Sequence, residues 1–362
     1  MKQDSKQKGV AIIGTRARGG IRAVIENHIQ AGVYDGYKHY FIASHDEAEI
    51  LKRLALTINS LLSLATLIVL GKVSLCHLHG SYRGSIYRKA LFVFVSRLLR
   101  CKVIFHLHGS EFAKTYDNAG RFYKGLVQYV LNHSNSVFVI SSYWKSYVES
   151  ISDNLEIRII NNFPSPVFED LYGKRVFSRN ETTELLFLGY IGQRKGIYDL
   201  VEAVTLLKTN GVKSFRITVG GNGEVEKLRT LVANKGLDEY FNIIGWVSGE
   251  QKYELLKESQ LLLLPSHNEG LPIAILEALS SGLAVLSTRV GGIPDAIRDE
   301  RYGLLVEPGQ PEELANAITR YLETDGLIET VVRNARELYD LNYSSKANVK
   351  IIQNVFDDLV CV

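Results

Sequence analysis

The chain has 362 residues, of which 46% are hydrophobic and 22% charged, and its formal net charge is +3. This is ordinary soluble globular composition spread over about two domains of common size, which excludes a disordered chain. Its three cysteines, Cys76, Cys101 and Cys361, are odd in number and far apart in the sequence, so they frame neither a disulfide scaffold nor a metal spacing. A reducing compartment is the simplest expectation.

The small net charge hides an asymmetry. Residues 1–165 carry 21 Lys and Arg against 11 Asp and Glu, a balance of +10, and the remainder is at −7. A basic first half calls for an anionic partner, whether anionic lipid, a phosphate-bearing acceptor or nucleic acid. No apolar signal-peptide segment precedes the first strand, so the expected location is the cytoplasm.

Along the chain, short β-rich runs alternate with helical patterns, as in parallel sheets built from βαβ units. In the first half the strand candidates are Val10–Gly14, His39–Ala43, Val73–Leu78, Lys102–Leu107, Ser136–Ile140 and Ile157–Ile160. Gly14, Gly19 and Gly20 follow the first of them and lead into a helix. Leu54–Leu70 carries no charge and approaches spanning length, but Thr57, Asn59, Ser60 and Ser63 dilute it, so it reads as a buried or membrane-facing helix rather than a span. HLHGS occurs twice, at His77–Ser81 and His106–Ser110, each time at a strand end. Alternation puts His79 and His108 nearest the carboxyl ends of their strands. No His/Cys/Asp cluster or Asp-x-Asp pair accompanies them, so no metal is expected.

A segment with prolines, glycine and mixed charge marks the domain boundary. The division expected is 1–165, a linker at 166–182, a second domain at 183–343 and a final helix at 344–362 that crosses back. Strand candidates in the second half are Leu185–Leu188, Phe215–Val219, Phe241–Ile244, Leu261–Leu264, Ala284–Ser287 and Gly303–Val306. The fold class is α/β, two doubly wound domains facing across a cleft.

After Leu185–Leu188 comes LGYIGQRKGIYD, with Arg194 and Lys195 just ahead of a helix near Gly196. Cations are disfavoured there unless an anion sits between them, which argues for a bound phosphate. The stretch QLLLLPSHNEGLPIAILEALSS, from Gln260, reads as strand, loop and helix. Glu269 lies in the loop and Glu277 on a helix that is apolar nearly all round, so Glu277 is paired or faces a cleft. The G-x-G-x-x-G dinucleotide fingerprint and the Walker A loop are both absent, which lowers hydride transfer and P-loop hydrolysis.

The combination GQRKGIYDLVEA, GGNGE, GWVS, PSHNEGLPIAILEALSSGLAVLSTRVGGIPD and YGLLVEPG resembles the retaining glycosyltransferases of family 4. These have the GT-B fold of two Rossmann-like domains, and the nearest likeness is to enzymes of capsular and surface polysaccharide assembly. The resemblance implies a metal-independent, cofactor-free hexosyl transfer from a nucleotide sugar to a hydroxyl of an oligosaccharide or polyprenyl-diphosphate-linked acceptor. It implies no nucleic acid partner and leaves the oligomeric state open. An anionic membrane surface on the inner face of the cell is the expected support.

The same resemblance implies the roles of residues. Glu269 touches the transferred sugar, with the backbone at Gly270, Leu271, Pro272 and Ile273 beside it, and Glu277 holds the ribose. Lys195, helped by Arg194, neutralises the leaving diphosphate. His108 lies close to the sugar, Gly19 and Gly20 near the phosphates, and Tyr190, Gly221, Asn222, Gly223 and Val247 complete the donor contacts. Tyr190 stands where the family has arginine. Two other readings carry weight at this stage: a sugar-nucleotide epimerase or hydrolase on the same fold, and a non-catalytic nucleotide-sugar-binding subunit.

Overall fold

The computed structural model describes residues 9–17, 19–47, 49–175 and 182–360; Cys361 and positions 176–181 of the expected linker lie outside them. The chain divides into two units, Met1–Asn162 with Ser345–Val362, and Phe163–Ser344.

The first unit is built on strands β1 (Gly9–Thr15), β2 (Lys38–His45), β3 (Leu75–Gly80), β4 (Lys102–Leu107), β5 (Ser136–Val139) and β6 (Ile157–Ile159). They form one parallel sheet in the order β2-β1-β3-β4-β5-β6. Its helices are α1 (Gly20–Gln30), α2 (Ile50–Val69), α3 (Gly84–Leu98), α4 (Phe112–Asp117), α5 (Arg121–Asn132) and α6 (Ser142–Ile151). The central strands are covered on both faces, which is why they read as continuous apolar runs rather than alternating ones.

The second unit carries β7 (Thr183–Leu188), β8 (Phe215–Gly220), β9 (Phe241–Gly245), β10 (Leu261–Leu264), β11 (Ala284–Thr288) and β12 (Leu304–Val306). These also form one parallel sheet, in the order β12-β11-β10-β7-β8-β9. The helices between and after them are α7 (Ile197–Thr209), α8 (Val225–Asn234), α9 (Gly249–Glu258), α10 (Ile273–Ser281), α11 (Ile293–Ala296), α12 (Pro311–Glu323) and α13 (Leu327–Asn342). Both units are therefore doubly wound parallel sheets, but they wind differently. The first reverses strand order between β1 and β3, the second between β7 and β10, and ligands of such sheets sit at the carboxyl ends of the strands flanking the reversal.

The last helix, α14 (Ser345–Val360), belongs to the first unit. Phe356 is fully buried, with its ring stacked on Tyr34 at 5.8 Å and edge-on to His77 at 5.6 Å, while Gln353 donates to the Gly32 carbonyl at 3.0 Å.

Three features add to the sequence reading. Part of the expected linker is a 3-10 helix, Pro166–Lys174, packed on α10. Arg175 after it donates to Ser259 O at 2.6 Å and Ser281 O at 2.9 Å, capping the carbonyl ends of α9 and α10. Helix α2, for its part, turns Thr57, Ser60 and Leu64 inward, with Ser60 Oγ donating to Ala43 O of β2 at 2.6 Å, and leaves Leu51, Leu54, Ile58 and Leu62 exposed. It is long and apolar enough to cross a membrane, yet little of it is covered by the rest of the chain. Finally, Cys76 and Cys101, distant in sequence, are buried free thiols with sulfurs 3.5 Å apart, because β3 and β4 are neighbours.

Candidate active site

In the second unit the two strands flanking the reversal end in the loops that carry Lys195 and Glu269. The β7 loop makes a 3-10 turn, Gln193–Lys195, before Gly196 opens α7 with φ 70°. A side chain at Gly196 would put its Cβ 1.8 Å from the Pro265 carbonyl, so only glycine lets this loop touch the one after β10. The His267 amide then donates to Arg194 O at 2.9 Å, and His267 Nε2 meets Asp199 Oδ2 of α7 at 2.5 Å.

This contact delivers Lys195 to Glu269. The ammonium forms an ion pair with Oε1 of Glu269, Ser266 Oγ donates to the same oxygen at 2.8 Å, and Arg194 Nη1 lies 3.9 Å from Oε2. Glu269 is only 5% exposed. The anion that the position of Arg194 and Lys195 demanded is therefore present in the chain itself, as this carboxylate. The Arg194 guanidinium also donates to Asn268 O at 3.2 Å and stays partly open to solvent.

Glu277, on α10, is 4% exposed and is paired with Lys252 of α9 at 2.7 Å. Sequence reasoning missed Lys252, since GEQKYELLKE reads as a solvated amphipathic helix and nothing in its spacing points to α10. Gly270 O accepts from the Gly292 amide at 2.6 Å, Leu271 is buried, Pro272 caps α10 and Ile273 begins it.

The β8 loop lies against the β7 loop. Asn222 O accepts from the Ile191 amide at 2.7 Å, and a Cβ on Gly221 would fall 1.7 Å from the Gly189 carbonyl. At Gly221 the close approach that glycine allows is thus to neighbouring backbone rather than to an open ligand space. Val247 is buried against Gly220, and the Tyr190 ring, 47% exposed, lies over Gly192 and Gly223.

The first unit holds the remaining candidates. Gly19 caps α1 with φ 146°, and neither Gly19 nor Gly20 has any atom within 4 Å of where a side chain would start, so the space above them is open. His108 follows β4, its Nε2 2.9 Å from His79 Nδ1. The HLHGS repeats form a larger group than the sequence suggested: His77, His79, His106 and His108 stack across β3 and β4, and His28 of α1 joins them. Two trios within this group bring ligand nitrogens within 4.8 Å of one another. Proton counting disfavours an ion there in the observed arrangement. His79 and His108 share one proton between their facing nitrogens, so only one of the pair presents a lone pair outward. His77 uses both nitrogens, on Tyr34 and His106.

Burial holds these imidazoles neutral, with His28 and His108 each pushed down to about 3. A histidine whose folded value lies below its unfolded value of about 6.5 leaves stability intact above that value and lowers it as pH falls towards the folded value. His28 and His108 together should remove about 2.7 kcal/mol per pH unit near pH 5. The thermal midpoint of the chain should therefore fall steeply between pH 7 and 5, and a flat profile there would contradict a neutral cluster.

Residues 171–338, which hold the Lys195–Glu269 and Glu277–Lys252 pairs, match the family model of glycosyl transferases group 1. An uncharacterised glycosyltransferase of Methanocaldococcus jannaschii is 25% identical over 73% of this chain and 72% of its own length. The second unit carries a group 1 glycosyltransferase domain. A putative colanic acid biosynthesis glycosyltransferase of Escherichia coli is 30% identical over 45% of this transferase, an alignment covering 42% of the E. coli protein. The crystal structure of Anabaena HepE in complex with UDP-glucose matches 97% of the transferase and 99% of its own chain, with a TM-score of 0.75 at 15% identity. At that identity the likeness speaks for the shared GT-B fold alone.

Proposed function

We propose that the transferase moves a hexosyl residue, with retention and without a metal, from a nucleotide sugar to a hydroxyl of a lipid-linked oligosaccharide in surface polysaccharide assembly. The observation that carries this reading is the cluster of Lys195, Arg194 and Glu269 at the strand reversal of the second unit. When the glycosidic bond to the diphosphate breaks, negative charge develops on the leaving oxygen, and Lys195 with Arg194 meets it. Glu269 is the acceptor for the transferred sugar's hydroxyls, Glu277 the acceptor for the ribose, and His108 lies on the sugar side. The incoming hydroxyl gives its proton to the departing phosphate. No covalent nucleophile is required.

UDP-glucose in HepE and colanic acid in the E. coli relative's name make UDP-hexoses and surface polysaccharide acceptors the first to test. A thermal-shift panel of UDP-, GDP- and ADP-hexoses should single out one base. NMR of the product made with that donor should then show the donor's anomeric configuration preserved; an inverted product sinks the retaining mechanism, and free sugar alone sinks transfer. The exposed Tyr190, in place of arginine, is the one observation favouring a binding-only subunit, which tight donor binding without turnover would reveal.

Exposed side chains of α2, α3 and α5 support a reading in which the first unit rests on the inner membrane surface. Leu51, Leu54 and Leu62 of α2, Phe94 and Leu98 of α3 and Phe122 of α5 are exposed, with Lys52, Arg53, Arg97 and Arg121 exposed among them. Each basic residue near an anionic surface contributes about 1 kcal/mol. The chain should float with liposomes containing anionic lipid, and Leu54→Asp with Leu98→Asp should abolish flotation; failure to float at all removes the membrane from this account.

A further inference from the structure

At the strand reversal of the first unit, a cavity of about 250 Å³ opens at the carboxyl ends of β1, β2 and β3. Its floor and wall come from Ser44 and His45 at the end of β2, Ser81 after β3, and Ser85, Arg88 and Lys89 of α3, with Gly19 and Gly20 at its rim. No aspartate or glutamate lines it among the described residues.

Lys89 is the unusual member. It is 2% exposed, and its ammonium donates to Ser44 Oγ at 2.6 Å and to Ile13 O at 3.2 Å, both uncharged acceptors. A buried ammonium ordinarily has a carboxylate partner, because neutral oxygens recover only part of its lost hydration. Beside it, Arg88 Nε is buried without a hydrogen-bond partner. Burial pushes the Lys89 ammonium well below its ordinary value and Arg88 pushes it further; burial and Arg53 act in the same direction on Arg88. Three cations and His45 therefore share one neighbourhood in which Asp46, felt at His45, is the carboxylate. An anion entering the cavity would satisfy Lys89 and Arg88 together, with the Ser81 and Ser85 hydroxyls to complete its shell; the Ser44 hydroxyl already donates to Gly14 O at 2.8 Å. The volume takes a phosphate group with the first carbons attached to it.

We propose that this cavity is a phosphate-binding subsite that holds a phosphate or diphosphate group of the acceptor. Its assignment to an acceptor rests on the transferase reading; the anion site itself does not. Arg88 and Lys89 are positioned by α3 to fix that group, and the sugar hydroxyl to be glycosylated is carried at the other end of the same molecule.

The donor's own diphosphate is the rival source, and a calorimetric titration of the full chain with pyrophosphate separates them. Wild type should bind; Lys195→Ala, which removes the donor-side cation, should keep a pyrophosphate site, and in that background Arg88→Gln should weaken the remaining binding at least tenfold, as expected for losing one charge-assisted hydrogen bond. Where Lys195→Ala does not fold, Arg194→Gln takes its place, since that side chain is partly exposed. Ser85→Ala, which removes a lining hydroxyl but no charge, serves as a milder second variant of the cavity and should weaken binding by less than Arg88→Gln. No binding by wild type, or equal binding with and without Arg88→Gln in the Lys195→Ala background, overturns the site. Loss of all binding in folded Lys195→Ala assigns the ion to the donor's diphosphate and overturns the acceptor assignment. Because no turnover is measured, failure of the chain to transfer sugar leaves this result standing, and loss of the anion site leaves the donor site standing.

Discussion

Lys195→Ala should lower kcat by about two to three orders of magnitude, the usual loss when one preorganised charge-stabilising donor is removed. The ammonium is held by Glu269 before any substrate arrives, so its position costs little reorganisation when charge develops on the leaving group. The same pairing complicates the experiment. Glu269 is nearly buried, and without Lys195 it keeps only Ser266 at 2.8 Å and the more distant Arg194. Removing one partner of such a pair costs about 3–5 kcal/mol of stability. Single-turnover rates must therefore be measured on protein shown to be folded, and the double variant Lys195→Ala with Glu269→Gln supplies the control. It should recover most of the lost stability, since no buried charge is left alone, and none of the lost rate. Near-wild-type turnover in folded Lys195→Ala would remove Lys195 from the chemistry.

Glu277→Ala should raise the donor's KM by about 10- to 100-fold, the range for one hydrogen bond to a charged group, with kcat changed much less. A ribose contact far from the bond being broken is made equally in ground and transition states, so its loss appears in binding. Lys252→Met separates this role from a structural one. It leaves Glu277 buried without its 2.7 Å partner and should lower stability by about 3 kcal/mol. If the pair were only a brace between α9 and α10, both variants would lower the melting temperature and neither would move the donor's KM.

The backbone of this protein was largely legible because its strands are buried on both faces. Runs such as Leu261–Leu264 have no polar residue to blur them, and the loop after each is set by proline or glycine. The carboxylates Glu269 and Glu277 were visible for a related reason, as charges embedded in apolar sequence. What the sequence hid was pairing across elements. Lys252 reaches Glu277 over 25 positions, and the histidine stack unites His28 with residues up to 80 positions away. Composition left helix α2 as buried or membrane-facing; in the structure Thr57, Ser60 and Leu64 turn towards the sheet edge, while Leu51, Leu54, Ile58 and Leu62 point away.

The seat of α14 has a bearing on how this molecule is made. Phe356 fills a place against Tyr34 and His77, rings encoded some 280 to 320 positions earlier. A ribosome delivers the amino-terminal sheet first, yet that sheet acquires this last wall only after the whole of the second unit has been made. The nascent first unit therefore waits with an open apolar face throughout synthesis of the second, a long interval during which chaperone occupancy is to be expected. Of the two units, the one born first is finished last.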